Sequence, residues 1–497
     1  MSSSRRWAKG PLVLAFALAR SGTGAGFGAP SWDLRRAVAR LLLAGLVLAC
    51  GLAQAAEPPV AFVGATVIDG TGRAPVADAV LLIEDERIVA IGPRDKVLVP
   101  GEPARIDVAG RWIIPGLIDA HVHFFQSGGL YTRPDVIDLR GIRPYAEELA
   151  RIKDELPKTL ARYVASGVIS VIDVGGPDWN LEVRALALEL DAAPRVAVAG
   201  PLLGTYAPPQ LRTDAPPILE IATPEEARAE VRRQLAQGVD LIKIWVALPE
   251  ADLAPDLVWV RAAIEEAHAG GVRVVAHATQ LRVARAVIEA GADVLAHGID
   301  DQPIDDATLA LMRERGVIYT PTLMVGRRYP AVFGRHLELT EIERRLGDPE
   351  AIASFADLER LPGEALPAWV GRARPRPLDP VPAHNLRRVQ AAGITVAAGS
   401  DAGNIGTLHG PSLHRELALM VEAGLTPMQA VVAATQGGAA LMGRADLGTL
   451  EPGNLADLVI LDADPLADIR NTRRIWRVVK GGLVLDPEAV VAGPGQD

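Results

Sequence analysis

The run Trp112-Ile113-Ile114-Pro115-Gly116-Leu117-Ile118-Asp119-Ala120-His121-Val122-His123 is apolar almost to its end and then presents two imidazoles one residue apart. From Trp112 to His121 it reads as a buried strand. Alternate strand residues project to the same side, so His121 and His123 suit a single metal ion. Seven further apolar runs follow: Val168 to Val174, Arg195 to Gly200, Asp240 to Val246, Val272 to His277, Asp293 to Ile299, Val317 to Thr322 and Thr395 to Ser400. Amphipathic stretches separate most of them, among them Tyr145 to Ala165, Pro224 to Gln237, Leu257 to His268 and Ala307 to Arg315. Parallel strands need crossover helices, so this alternation predicts an α/β chain closed into a (β/α)8 TIM barrel. Residues 324–383, which contain several Pro and Arg, read as an insertion near the barrel mouth that shapes a pocket.

Outward from the barrel the texture changes. Val60 to Val99 alternates short apolar runs with Gly, Asp and Pro, the pattern of strands joined by tight turns. The same texture returns in Leu455 to Pro465 and Arg473 to Asp486. The expectation is one small β-sandwich domain assembled from residues 57–112 and 440–497, flanking a barrel over 113–439.

Residues 1–56 read as an export leader. Arg35, Arg36 and Arg40 precede an apolar run from Leu41 to Cys50, and Ala53-Gln54-Ala55 then supplies small residues. That order suits a secretory signal, and the apolar run is short for a membrane span. Ser4-Arg5-Arg6 ahead of Pro11 to Ala19 leaves a twin-arginine leader open, and Val47-Leu48-Ala49-Cys50 leaves a lipid anchor on Cys50 open. The expected location is periplasmic or secreted, with membrane contact only through the leader or that anchor.

Composition narrows the chemistry. With 51 basic against 61 acidic residues and no long basic run, the composition argues against a general nucleic-acid partner; the expected partner is a small-molecule substrate. Self-association into a homo-oligomer stays open. Cys50 is the only cysteine, so any metal must be held by nitrogen and oxygen.

Barrels place reactive groups where strands end. Strand one ends in His121-Val122-His123, strand four contains Lys243, strand five ends at His277, strand six at His297, and strand eight reaches Asp401. Each alone is weak, since a strand-end His is usually a structural hydrogen-bonding group. Together, four His and one Asp aimed at one mouth are ligands that zinc prefers. Lys243 is one of six lysines and lies inside Leu241-Ile242-Lys243-Ile244-Trp245-Val246, where burial is costly for a cation. Burial lowers its pKa, and the free amine can take up carbon dioxide to become a carbamate able to bridge two metals. The bland alternative is a Lys snorkelling to a carboxylate at the strand end.

Pro115 to His123, the Lys243 strand, His277, His297, Gly399-Ser400-Asp401-Ala402-Gly403 and the closing Glu451 to Val459 together resemble the amidohydrolase superfamily of metal-dependent hydrolases. The closer similarity is to its imidazolonepropionase-like and Xaa-Pro dipeptidase-like branch, over about residues 60 to 486. The resemblance implies that His121, His123 and Asp401 bind the more buried of two divalent metal ions, by default Zn2+. It implies that His277 and His297 bind the second, with carboxylated Lys243 bridging. Imidazolonepropionases lack that lysine and use one metal, so its presence points to two-metal, amide-hydrolysing members. Those dipeptidases often follow the lysine with a Gly-rich loop, which Ile244 to Pro249 is not, so their dipeptide specificity is not carried over.

The implied reaction is hydrolysis of an amide, peptide-like or N-acyl amino acid, by a metal-bridging hydroxide with Asp401 as general base. The alternatives are a lactone or ester hydrolase, a mononuclear deaminase or cyclic amidine hydrolase, and an inactive barrel serving as a binding protein. Candidate substrate contacts are His409, on the loop after strand eight, Tyr131 after strand one, and Tyr319 on strand seven. Phe124 and Phe125 are further wall candidates, and His414 reads as a packing or capping residue.

Overall fold

The computed structural model describes residues 59–99, 103–247, 252–361 and 378–492. The leader, including Cys50, lies outside the described residues, as does part of the 324–383 insertion. Among the described residues no helix is long and apolar enough to cross a membrane.

Eight parallel segments close on themselves. Leu117–Val122 pairs with Val168–Asp173, which pairs with Arg195–Val198. The third strand meets the fourth, Leu241–Trp245, through an Ala199 to Leu241 bridge and an Asp240 N to Val198 O bond of 2.9 Å. Ladders then run to Arg273–His277, Val294–Ala296 and Ile318–Thr320. The expected eighth strand is reduced to a bridge between Tyr319 and Val396, yet it closes the ring: Ala120 N donates to Ala398 O (2.9 Å) and Asp401 N to His121 O (2.8 Å). Helices pack outside, including Tyr145–Ala165, Pro224–Gln237, Ala254–Ala269 and Asp306–Arg315.

Strand alternation sorts the side chains into two layers. Ile172, Ala197, Leu241, Val275, Val294, Ile318 and Ala397 meet inside the barrel. Their neighbours Val171, Val196, Ile242, Val274, Leu295, Tyr319 and Val396 pack outward in the large core shared with the helices.

The Trp112 to His121 run is not one strand. Trp112–Pro115 runs antiparallel to Leu458–Leu461, whereas Leu117–Val122 opens the barrel. Gly116 is the pivot. Its N–H donates to Asp457 O at 2.9 Å, and a Cβ there would collide with the Ile169 side chain. The β-sandwich therefore keeps its chain to Pro115 rather than 112. Its sheet takes strands from both ends of the described chain, with Val60–Val67 pairing Val76–Glu84 on one edge and both Ala104–Asp107 and Trp112–Pro115 on the other. Ile113, Leu458, Ile460 and Val479 fill the sandwich core with Phe62, Leu81 and Ile83, while Ile114, Val459, Leu461 and Val478 face the barrel. Opposite faces of the same strands thus weld the two domains.

Within the insertion, Val325–Phe333, Glu341–Leu346 and Pro349–Ser354 are helical. Val332, Phe333 and Leu358 pack with Leu130, Tyr131 and Ile137 from the loop after the first barrel strand.

The short eighth strand depends on close backing by the segment around Gly437. Ala398 N donates to Ala433 O at 2.9 Å, and a Cβ on Gly437 would strike the Val396 carbonyl. Gly437→Ala is expected to cost about 1–3 kcal/mol, as overpacking does, read as a lower urea midpoint. A wild-type midpoint would show that the contact yields freely.

Candidate metal centre

Lys243 lies two residues beyond Leu241, so it shares the interior face; it is fully buried. His277 follows Val275 in the same way. At the sixth strand alternation would fail, because Ala296 already points inward and a continued strand would turn His297 toward the helices. The backbone of His297 instead enters the left-handed region, with φ 79°. Its ring centroid then lies 4.5 Å from that of His277 and 4.8 Å from that of His121. Asp401 (φ 59°) and Thr322 (φ 42°) are also left-handed, and the Thr322 hydroxyl bonds His297 Nδ1 at 2.8 Å. Non-glycine residues pay conformational strain there, and such strain clusters at functional sites.

Asp401 sits at the centre. Its Oδ1 is 3.4 Å from His123 Nε2 and 3.6 Å from His121 Nε2, and its Oδ2 is 3.8 Å from His297 Nδ1. His123 Nδ1–H donates to Gly175 O at 2.7 Å, which leaves Nε2 with its lone pair facing Asp401.

Three buried carboxylates hold the surrounding backbone. Asp119 accepts from Ser400 N (2.9 Å) and Ser400 Oγ (2.5 Å), tying strand one to strand eight. Asp173 accepts from Phe124 N (3.2 Å), Gly175 N (2.9 Å) and Asn180 Nδ2 (2.7 Å), and so fixes the carbonyl that orients His123. Glu416 accepts from Leu323 N and Met324 N, both at 2.8 Å, at the end of strand seven. Burial pushes Asp119 up to about 7, and Asp173 and Glu416 up to about 8.

Burial also keeps the four imidazoles neutral, with the Lys243 charge and neighbouring rings adding to it. His123 and His277 are lowered to about 3, and His121 and His297 lie well below their ordinary value. Lys243 is lowered to about 7 by burial, against the pull of Asp401. Asp401 is raised to about 6 by burial, against Lys243 and Arg133.

This donor set fits a divalent cation. The ligand atoms of His121, His123 and Asp401 lie within 4.8 Å of one another. Both ring nitrogens of His121 and Lys243 Nζ are buried without a hydrogen-bond partner among the described residues. Buried polar atoms are rarely left so, and neutral imidazole with carboxylate is the donor chemistry of zinc. His123, Lys243, His277, His297 and Asp401 all line a cavity of about 800 Å³. Its lining includes an apolar cluster of Leu202, Leu211, Ile218 and Trp245, together with Phe125 and the polar residues Thr279, Asp300, Thr322 and Asp379.

The three candidate substrate contacts do not line that cavity. His409 is buried, with Nδ1 bonded to Tyr163 OH at 2.8 Å, Nε2 to Gln126 O at 2.7 Å, and its ring stacked on Phe124. Tyr131 donates to Asp357 Oδ2 at 2.8 Å within the insertion contact, and Tyr319 is fully buried, accepting from Ile299 N at 3.2 Å. In all three, the polar side-chain atoms are hydrogen-bonded within the protein. His414 is likewise buried, between Thr472 and Ser166. Of the two phenylalanines, Phe125 faces the cavity. The sequence reading missed Trp245, although it follows the singled-out lysine, and missed Arg133, Tyr329 and Asn404, which no local pattern marks.

A family model described as the amidohydrolase family matches residues 112–485. An uncharacterized protein of Mycobacterium tuberculosis is 30% identical over 369 residues, spanning 72% of this chain and 80% of its own. The imidazolonepropionase of Streptomyces griseus is 28% identical over 412 residues, spanning 80% of this chain and 88% of its own. Among solved structures, a Xaa-Pro dipeptidase with bound methionine in the active site is similar at 25% identity and a TM-score of 0.64, over 86% of this chain and 100% of that one.

A structural His409 has a measurable signature. Burial lowers its pKa to about 4, so between pH 7 and 5 the unfolded chain gains a proton there that the native state does not. Wild type loses stability over that interval through this group, and His409→Gln does not. The deficit of His409→Gln relative to wild type should therefore shrink by about 2 kcal/mol from pH 7 to pH 5 in urea unfolding. A constant deficit would contradict the buried neutral ring.

Proposed function

Given that the chain belongs to the amidohydrolase family, of metal-dependent hydrolases acting on carbon–nitrogen bonds, we propose that it cleaves an amide, peptide-like or N-acyl amino acid, with two divalent cations. The observation that carries this reading is the donor set of buried His121, His123, Lys243 and Asp401 with half-buried His277 and His297, in which Lys243 Nζ and the His121 nitrogens have no hydrogen bond among the described residues. His121, His123 and Asp401 would hold one cation and His277 with His297 the other, Zn2+ by donor type. Bound there, the cations supply Lewis acidity, lowering the pKa of a water and polarising the scissile carbonyl.

The chain's own groups do the rest. A Lys243 amine lowered to about 7 is substantially unprotonated at neutral pH, so its nitrogen can attack the carbon of carbon dioxide, releasing one proton and leaving an anionic carbamate. That anion supports two cations over one, which favours amide hydrolysis over a mononuclear deaminase. Asp401, raised to about 6, is suited to take the proton of the attacking water and deliver it to the leaving nitrogen. The aliphatic and aromatic wall around Trp245, 6.1 Å from the His277 ring, supports a substrate with a bulky apolar substituent. The arginine, apolar and small-residue order of residues 35–55 supports export to the periplasm or beyond.

The test is a screen of the metal-quantified protein against N-acyl amino acids, dipeptides and lactones, with cleavage read directly. Asp401→Asn should lower kcat about 100-fold or more while most metal stays bound; retained turnover would remove Asp401 as base. Lys243→Ala should lose metal and rate together, with partial rescue by short carboxylic acids, and unchanged metal content would sink the carbamate. Trp245→Ala should raise KM for aryl-substituted amides and leave small ones little changed. An equal effect on both would count against the apolar wall as a substrate contact.

A further inference from the structure

Asn404 is buried three residues beyond Asp401 and donates from Nδ2 to Asp401 Oδ1 at 2.8 Å. Its other end is doubly held. Asn404 Oδ1 accepts from Arg133 Nη1 at 2.5 Å and from Tyr329 OH at 2.7 Å. With two donors on its carbonyl oxygen, the amide cannot flip, and its NH2 group must face Asp401. Arg133 is fixed in turn. Its Nε and Nη2 fork onto Asp135 at 2.8 and 2.6 Å, and Nη1 also reaches Tyr329 OH at 3.2 Å. The guanidinium lines the cavity, yet its donors and its charge are committed to protein partners.

We propose that Asn404, Arg133 and Tyr329 form a positioning relay that holds the Asp401 carboxylate in one rotamer. The Asn404 bond occupies one lone pair of Oδ1 and opposes rotation about the Cβ–Cγ bond. Oδ1 thus stays toward His121 and His123, and Oδ2 toward His297. The relay joins three segments far apart in sequence: the loop after strand one, the insertion helix Val325–Phe333 and the loop after strand eight. It gives the insertion a role in the metal site that needs no contact with substrate. The proposal rests on the reading of Asp401 as a metal ligand.

Cobalt(II) titration of the full chain tests it, because the visible absorption of the bound ion reports its ligand field without turnover. Wild type, Asn404→Ala and Tyr329→Phe are compared by dissociation constant, absorption spectrum and circular dichroism. Asn404→Ala is expected to weaken cobalt binding about tenfold or more, the usual effect of losing a partner that orients a ligand, and to alter the spectrum while the fold is retained. Tyr329→Phe keeps the ring packing and should move both readouts the same way by less, which decides the matter should Asn404→Ala fail to fold. Wild-type affinity and spectrum in a folded Asn404→Ala, or in Tyr329→Phe should that variant stand alone, would overturn the relay and leave the metal site standing. No cobalt binding by wild type would overturn the site reading itself, and the relay with it.

Discussion

At the open end of the barrel, one lysine, four histidines and one aspartate converge, four of the six buried and His277 and His297 half-buried, with too few protein partners. Both His121 nitrogens and Lys243 Nζ make no hydrogen bond among the described residues, and leaving such groups unsatisfied costs about 1–3 kcal/mol each. Protons cannot relieve this, since burial and mutual repulsion hold all four rings neutral. A divalent cation can, because it accepts lone pairs from neutral nitrogen and charge from a carboxylate in one step. The rest of the molecule is arranged to keep these donors from collapsing onto one another or onto water.

That arrangement is mostly backbone. Asp119, Asp173 and Glu416 each gather amide N–H groups at the ends of strands and so fix the turns that carry His121, His123 and the seventh strand's exit. A left-handed conformation at His297 then aims a side chain that simple alternation would misdirect, and Thr322 and Asp401 share that backbone region at the neighbouring strand ends. The sandwich contributes from below, with Trp112–Pro115 anchored on one sheet and Leu117–Val122 on the other, so the first barrel strand is held at its base by a separate core.

Much of this was legible in the sequence, for physical reasons. A lysine between Ile242 and Ile244 is conspicuous because burying it is costly, and histidines at the ends of apolar runs stand out against runs otherwise made of Val, Ile and Ala. What could not be read depends on the third dimension. The apolar run from Trp112 carries no mark that its first four residues belong to another sheet, beyond the Pro115-Gly116 step. His409 follows strand eight just as a substrate-facing loop residue would, and only the fold brings Tyr163 and the Gln126 carbonyl onto its two nitrogens. Arg133 and Tyr329 reach Asn404 from 271 and 75 residues away, a distance over which no local periodicity operates.

The central proposal is that this donor set is a binuclear metal site bridged by a modified lysine. Counting the divalent cations bound per chain at saturation in bicarbonate-containing buffer tests it most directly. The account predicts two per chain, the second falling away when carbon dioxide is excluded. One tightly bound cation, indifferent to carbon dioxide, would contradict it.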